Sequence, residues 1–467
     1  MPVFSSGITP QNLSRLGLAW QYATHSYVTG QPLYYKDRIF AADWQGYIYC
    51  LHEKDGTLLY EKQLYRPPRQ DRGIRKMPVL KKFWGEPLPY FWNGFAGTGC
   101  ISDGIWYLPS AGGREGGPLS NGSTGTLYAI HLEDGRTLWQ MPLGGSRYSG
   151  GLAPPVCDDE NVYAATASVE EAASLVHSLL LRPYRPQAAG KVYAFNKKTG
   201  AVCWQAKVAE LDAEDEPTAK GMSVWGGLEL DASGKLLYFG TGNNYGPPAS
   251  LSSDALFCIG AADGRARWVF QPIPRDTWLP LRPSGPDFDF GCKPVLFFCR
   301  KASNSYAVGA GNKNGFFYAL DSKTGNLLWK TFCHVGSEPD DGIRSDATYY
   351  KGKLYLWSRN GTPAKTVSVC CLDADTGAMV WNKIKKGDNA RATGVITNNL
   401  YFLCNYSGNI YALATDTGKT LWQAQIKGAS LGSSLAIYNS RLYGGMGAPA
   451  LFGGNPNISG VFSYALQ

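Results

Sequence analysis

Hydrophobic and polar positions fall into a frame that returns seven times along this chain. Its clearest copy is Tyr411-Ala-Leu-Ala-Thr-Asp-Thr-Gly-Lys-Thr-Leu-Trp422. An aromatic residue opens a short apolar run, polar residues and a glycine follow, and a tryptophan lies in the returning segment. The other copies run from Tyr49 to Tyr60, Tyr128 to Trp139, Tyr193 to Trp204, Phe257 to Trp268, Tyr318 to Trp329 and Cys370 to Trp381. The closing aromatic always stands eleven residues after the first position, and a glycine always stands four before it: Gly56, Gly135, Gly200, Gly264, Gly325, Gly377 and Gly418. Such self-similarity marks a repeat architecture. Each copy predicts strand, tight turn, strand, with the glycine able to take positive φ in the turn. Runs such as Lys353-Leu-Tyr-Leu-Trp357 and Asn399-Leu-Tyr-Phe-Leu403 predict one or two further strands between copies.

Four antiparallel strands per repeat describe a propeller blade. Two half frames lie near the two ends of the sequence. Val461-Phe-Ser-Tyr-Ala-Leu466 supplies a first strand, and Leu16-Gly-Leu-Ala-Trp20 supplies a tryptophan strand. Pairing the two makes an eighth blade and removes an open sheet edge. The expected fold is therefore all-β: one eight-bladed propeller over residues 1–467, its last blade closed by the N-terminal strand. Departures from the minimal repeat mark four insertions, at 65–93, 172–189, 209–220 and 272–293. The second contains Leu175-Val-His-Ser-Leu-Leu-Leu181, patterned as a short amphipathic helix, and the third reads as an acidic loop. Long insertions in a compact repeat commonly serve as functional loops.

Composition agrees: 18% charged residues, 13% aromatic residues and 56 glycines suit short strands and tight turns. No apolar run reaches the length of a transmembrane helix, and the first residues lack the basic and apolar regions of a secretory signal. Most of the net charge of +8 sits between Arg66 and Lys82, where seven basic residues face Asp71 alone. That stretch is either a solvated insertion or a patch for an acidic partner; no nucleic-acid module accompanies it. The eleven cysteines include no CxxC pair and no cluster with zinc spacing. Neighbouring Cys370 and Cys371 are expected to point to opposite faces of one strand.

The Tyr-Ala-Leu-Asp-x-x-Thr-Gly-x-x-x-Trp frame resembles the tryptophan-docking repeat of quinoprotein alcohol dehydrogenases, most nearly their polyvinyl alcohol dehydrogenase-like branch. The likeness runs almost end to end. It is carried by Ile8-Thr-Pro-Gln-Asn-Leu13, Ser223-Val-Trp-Gly226, Leu237-Tyr-Phe-Gly-Thr-Gly-Asn-Asn244, Gly285-Pro-Asp-Phe-Asp-Phe-Gly291 and Gly311-Asn-Lys-Asn-Gly315. The resemblance implies pyrroloquinoline quinone (PQQ) and Ca²⁺, oxidation of an alcohol or alcohol polymer, an external electron acceptor, and a periplasmic or secreted setting. By motif match Trp225 is the floor on which the quinone stacks, Ser168 and Lys313 contact it, and Lys313 also has a catalytic part. Asn243 and Glu171 match the metal ligands, with Glu170 as the alternative register. Each residue also has a plainer reading: a core tryptophan, a turn asparagine, a solvated loop glutamate.

The match breaks at one place. The resemblance puts a proton-accepting aspartate directly after the tryptophan of Asp276-Thr-Trp278, and this chain has Leu279 there. Asp276 remains as a candidate, with Asp287 and Asp289 nearby. The vicinal cysteine pair of the family is absent around Cys100, and an expected arginine finds Asp103 as its nearest match. Two other readings stay open: a non-catalytic propeller that binds a protein or polymer, and a changed chemistry using Asp276, Asp287, Asp289 or His177.

Overall fold

The computed structural model describes residues 6–64, 94–114, 122–171, 174, 185–211, 219–274, 276–279, 285–334, 341–360, 366–386, 392–449, 454–455 and 457–467. The basic stretch Arg66 to Lys82, the expected helix Leu175 to Leu181 with His177, and residues 212–218 lie outside them. The strands assemble into eight principal antiparallel sheets of four or five strands, the blades of an eight-bladed β-propeller. In chain order they span residues 33–63, 100–142, 149–207, 228–270, 295–332, 342–386 and 395–425, with blade 8 made from both ends of the sequence. All seven repeat frames form the last two strands of their blades, as their periodicity predicts. Among the described residues no helix is long and apolar enough to cross a membrane.

Blade 8 is split as expected. Leu16–Ala23 pairs antiparallel with Gly460–Leu466, placing Trp20 opposite Ser463. Gly460–Leu466 pairs on its other side with Arg441–Met446.

The chain divides into two compact units. One holds residues 1–43, 48–61 and 290–467, that is blades 5 to 8 and nearly all of blade 1. The other holds residues 44–47 and 62–289, with blades 2 to 4. Within each unit the repeat explains how neighbouring blades dock. All seven repeat glycines take positive φ, between +65° and +75°. The tryptophan of the preceding blade lies flat over that turn: a Cβ on Gly56, Gly200, Gly264 or Gly418 would lie 2.7–2.8 Å from a ring atom of Trp20, Trp139, Trp204 or Trp381. Gly377 meets Trp329 in the same way. Each of these indole N–H groups donates to the carbonyl three residues before the glycine, at Glu53, Lys197, Ala261, Thr415 and Ala374. The frame is thus a plug and a socket. Glycine is required both for its backbone angle and because no side chain fits beneath the ring.

Across its own hairpin every repeat tryptophan faces a small residue, such as Ala129 opposite Trp139 or Cys371 opposite Trp381, and a bulge follows at once. Cys370 and Cys371 do point to opposite faces, each packing into a different core cluster. Cys203, although it lies in an apolar strand pattern, is exposed.

Candidate functional site

The site residues of blades 3 and 4 come together where the long strand Asn161–Ser168 ends. Ser168 is its last residue, and its backbone N–H donates to Ser223 Oγ at 2.8 Å. Ser223 is buried, and its carbonyl accepts from Gly242 N at 2.9 Å. One serine therefore ties the Ser168 strand end to both the Ser223-Val-Trp-Gly226 and the Gly242-Asn-Asn244 motifs.

The two glutamates have unlike surroundings. Glu170 is fully buried, and its carboxylate accepts from the backbone N–H groups of Gln187 (2.6 Å) and Ala188 (2.8 Å) and from Ser168 Oγ (3.2 Å). It acts as a clamp that pins the returning chain before Lys191–Asn196. Glu171 is half-buried, and its charge acts on the phenol of Tyr245. Burial first, then the negative charge of Glu171 and then that of Glu170, push the Tyr245 hydroxyl far above the usual phenol range. Tyr245 stays a neutral hydroxyl at any working pH, within reach of Ser168 and Ser223.

Trp225 is half-buried, and its indole Nε1 donates to Asp289 Oδ2 at 2.9 Å. A Cβ on Gly242 would meet Asp289 Oδ2 at 2.9 Å and Trp225 Nε1 at 3.2 Å, so the absence of a side chain there is what admits the indole–carboxylate pair. Asn243 is 3% exposed, and its Nδ2 donates to Asp287 Oδ1 at 2.7 Å. Its carbonyl Oδ1 is buried and has no hydrogen-bond partner among the described residues. A buried amide oxygen left unpaired costs about 1–3 kcal/mol, and a hard cation is the kind of ligand that would satisfy it.

Leu279 has an equally definite place. It is 4% exposed and packs with Tyr148, Val169, Ala188 and Tyr245. Its segment is anchored by Trp278 N donating to Asn244 O at 2.9 Å. Leu279 thus forms an apolar wall beside Ser168 and Glu170, and no carboxylate stands at that position. Asp276 is buried with Gly285 packed directly against its carboxylate. The two aspartates of the Gly285-Pro-Asp-Phe-Asp-Phe-Gly291 motif are the ones that reach the other site residues: Asp287 holds Asn243 and Asp289 holds Trp225. The motif match at Trp278 puts neither at the position of the missing aspartate.

Ser168, Glu171, Trp225 and Asn243 therefore share one neighbourhood. Lys313 belongs to the other unit, where it is buried and its backbone carbonyl packs on Gly342. Asp103 lies away from this neighbourhood, in a left-handed turn with its carboxylate on Lys197 Nζ at 2.6 Å. Among the described residues no group of three or more His, Cys, Asp or Glu side chains converges as a metal cage. Any ion here would rest partly on the Asn243 amide.

Comparison with known proteins bears on the fold and on the family. The glucose/ethanol/alcohol dehydrogenase β-propeller family matches residues 162–332, and the outer membrane protein assembly factor BamB family matches residues 301–451. The chain is similar to the quinoprotein alcohol dehydrogenase-like superfamily of PQQ-repeat propellers. Within it, polyvinylalcohol dehydrogenase of Sphingopyxis sp. (strain 113P3) is 23% identical over 97% of this chain, and that of a Pseudomonas species 22% identical over 89%. The chain spans 68% and 64% of those two relatives, about two thirds of their length. Among solved structures, a quinohemoprotein alcohol dehydrogenase from Pseudomonas putida superposes with a TM-score of 0.72 at 16% identity, covering 99% of this chain and 78% of that one. A europium-containing methanol dehydrogenase gives 0.70 at 17% identity, covering 99% and 95%.

Proposed function

We propose that this protein is a quinoprotein dehydrogenase that oxidises an alcohol, with PQQ and Ca²⁺ held between blades 3 and 4. The observation that carries the reading is Asn243: its amide nitrogen is fixed by Asp287 while its buried carbonyl oxygen is left for a cation. Glu171 would be the second, charged ligand. Trp225 would give the flat surface a planar cofactor needs, its tilt set by the hydrogen bond to Asp289. When bound, the quinone would take up two electrons and the cation would act on it as a Lewis acid.

The chain's own residues divide the remaining work. Leu279 can accept no proton, so the base must be another group, and Asp287 is the best placed of the nearby carboxylates. It contacts the proposed cation ligand directly, and a nearby cation would keep its carboxylate ionised and ready to take the hydroxyl proton of an alcohol. Leu279, Tyr148 and Val169 would shield the carbon chain of that alcohol from water. The polyvinyl alcohol dehydrogenase likeness makes a secondary alcohol on a long carbon chain the first substrate to try, with an external electron acceptor.

The test adds PQQ and Ca²⁺ to the purified full chain and follows tryptophan fluorescence and dye reduction with short alcohols and polyvinyl alcohol. Saturable quenching that disappears in Trp225→Ala, with dye reduction at least a hundredfold lower in Asp287→Asn, is expected. Protein that neither quenches nor reduces dye would leave the non-catalytic binding propeller as the better reading.

A further inference from the structure

Two of the eleven cysteines face each other across a blade boundary. Cys100 lies in Cys100–Ser102, the first strand of blade 2, and Cys157 in Val156–Cys157 of blade 3. Their sulfurs are 3.2 Å apart. That is closer than unbonded sulfurs usually sit and about 1 Å beyond a disulfide bond. Both thiols are only half-buried, and both line a cavity of about 600 Å³ shared with Pro155, Asp158, Glu229 and Asp231. This cavity meets the far end of Leu228–Leu230, the strand that Trp225 precedes, so the pair stands apart from the Asn243 neighbourhood.

The two strand ends are held in register by one buried side chain. Lys197 Nζ donates to Ser102 Oγ (2.9 Å) and Asp103 Oδ2 (2.6 Å), in the turn just after Cys100. It also donates to the carbonyls of Asp158 (3.0 Å) and Asp159 (3.2 Å), in the turn just after Cys157. The Lys197 carbonyl in turn accepts from Trp139 Nε1 (2.9 Å) and from the Tyr107 hydroxyl (3.2 Å) of blade 2. Both sides of the boundary are thus fixed within a few residues of the sulfurs.

We propose that Cys100 and Cys157 form a reversible disulfide between blades 2 and 3 by exchange with a small-molecule disulfide. The Cys157 thiolate attacks one sulfur of R–S–S–R, breaking that bond and releasing RS⁻, which takes up the proton Cys157 gave. The Cys100 sulfur then attacks the Cys157 sulfur, expels the second RS⁻ and passes its own proton to it. Two protein S–H groups are oxidised to one S–S bond, and R–S–S–R is reduced to two RSH. The neighbouring Cys157 sulfur and burial hold the Cys100 thiol well above the usual thiol range, against the pull of Lys197, which suits Cys100 to the second, resolving step.

The experiment incubates the full chain with oxidised glutathione, blocks remaining thiols with iodoacetamide, and maps peptides by mass spectrometry without reduction. Exposed Cys203 reports that the reagent acted. The expected result is a Cys100–Cys157 linked peptide, reversed by dithiothreitol, with an unfolding midpoint several degrees higher in the oxidised form. Cys100→Ser and Cys157→Ser should each lose the link and the shift; if either fails to fold, Cys100→Ala carries the same comparison. Glutathione adducts on either cysteine without a linked peptide would overturn the proposal. So would full alkylation of both after Cys203 has reacted.

Discussion

At the scale of single residues, the site rests on how a few buried polar atoms are shared. Glu170 and Glu171 are neighbours in sequence with unlike surroundings, because backbone amides at 187 and 188 claim only the first. Nothing local distinguishes them, so this difference becomes visible only once the returning chain is placed. Trp225 and Asn243 each sit in a contiguous motif, which is why the sequence singles them out as candidates. The partnership of Asn243 with Asp287 could not, since 44 residues separate them. Leu279 gives a prediction of its own. Because it fills an apolar cluster, Leu279→Asp should bury a carboxylate there and destabilise the protein by about 2–4 kcal/mol in urea unfolding. It should not raise dye reduction with PQQ and Ca²⁺. A variant that is both stable and more active would refute the assignment of the proton-accepting role away from this position.

At the scale of the element, the repeat hairpin was legible almost completely, because its turn and its tryptophan each satisfy a local rule. What the sequence could not show is that the tryptophan of one blade meets the glycine of the next. The prediction follows from the contrast between two glycines at positive φ. A Cβ added at Gly234 would find its nearest neighbour, Asp158 Cβ, at an ordinary 3.8 Å, and alanine there should cost about 1 kcal/mol from backbone strain. At Gly200 the Trp139 ring must also move, and alanine should cost about 2–4 kcal/mol. Equal midpoints for the two variants in thermal unfolding would contradict the docking account. The turns carry a second signature. Burial alone would raise the Asp321 carboxyl, but hydrogen bonds from the backbone N–H groups of Ser303, Thr324 and Lys323 outweigh it and hold the value at about 2. A carboxylate held lower when folded stabilises the protein above its unfolded value of 3.8 and loses that stability as pH falls towards 2. Replacing it by Asp321→Asn should lower stability by about 1 kcal/mol at pH 7 and flatten the acid limb between pH 4 and 2, read by circular dichroism.

At the scale of the whole molecule, the count of blades was legible because seven frames and two halves can be matched only by pairing the ends. The four expected insertions carry no periodicity, so the sequence assigns them no role, and most of their residues lie outside those described. The split blade gives the last prediction: Trp20→Ala removes both a buried indole and its hydrogen bond to Glu53 O (3.1 Å), and should lower stability by about 3–5 kcal/mol. An unchanged unfolding midpoint would show that closure does not depend on that docking. The same split blade also bears on how the chain is made. Leu16–Ala23 leaves the ribosome before its partner Gly460–Leu466, which begins 437 residues after it ends. At roughly 5–20 residues per second, that strand waits on the order of a minute with an unsatisfied edge. Through that interval it is exposed to other nascent strands, so yield in cells should depend on translation rate and on chaperones that shield a single early segment.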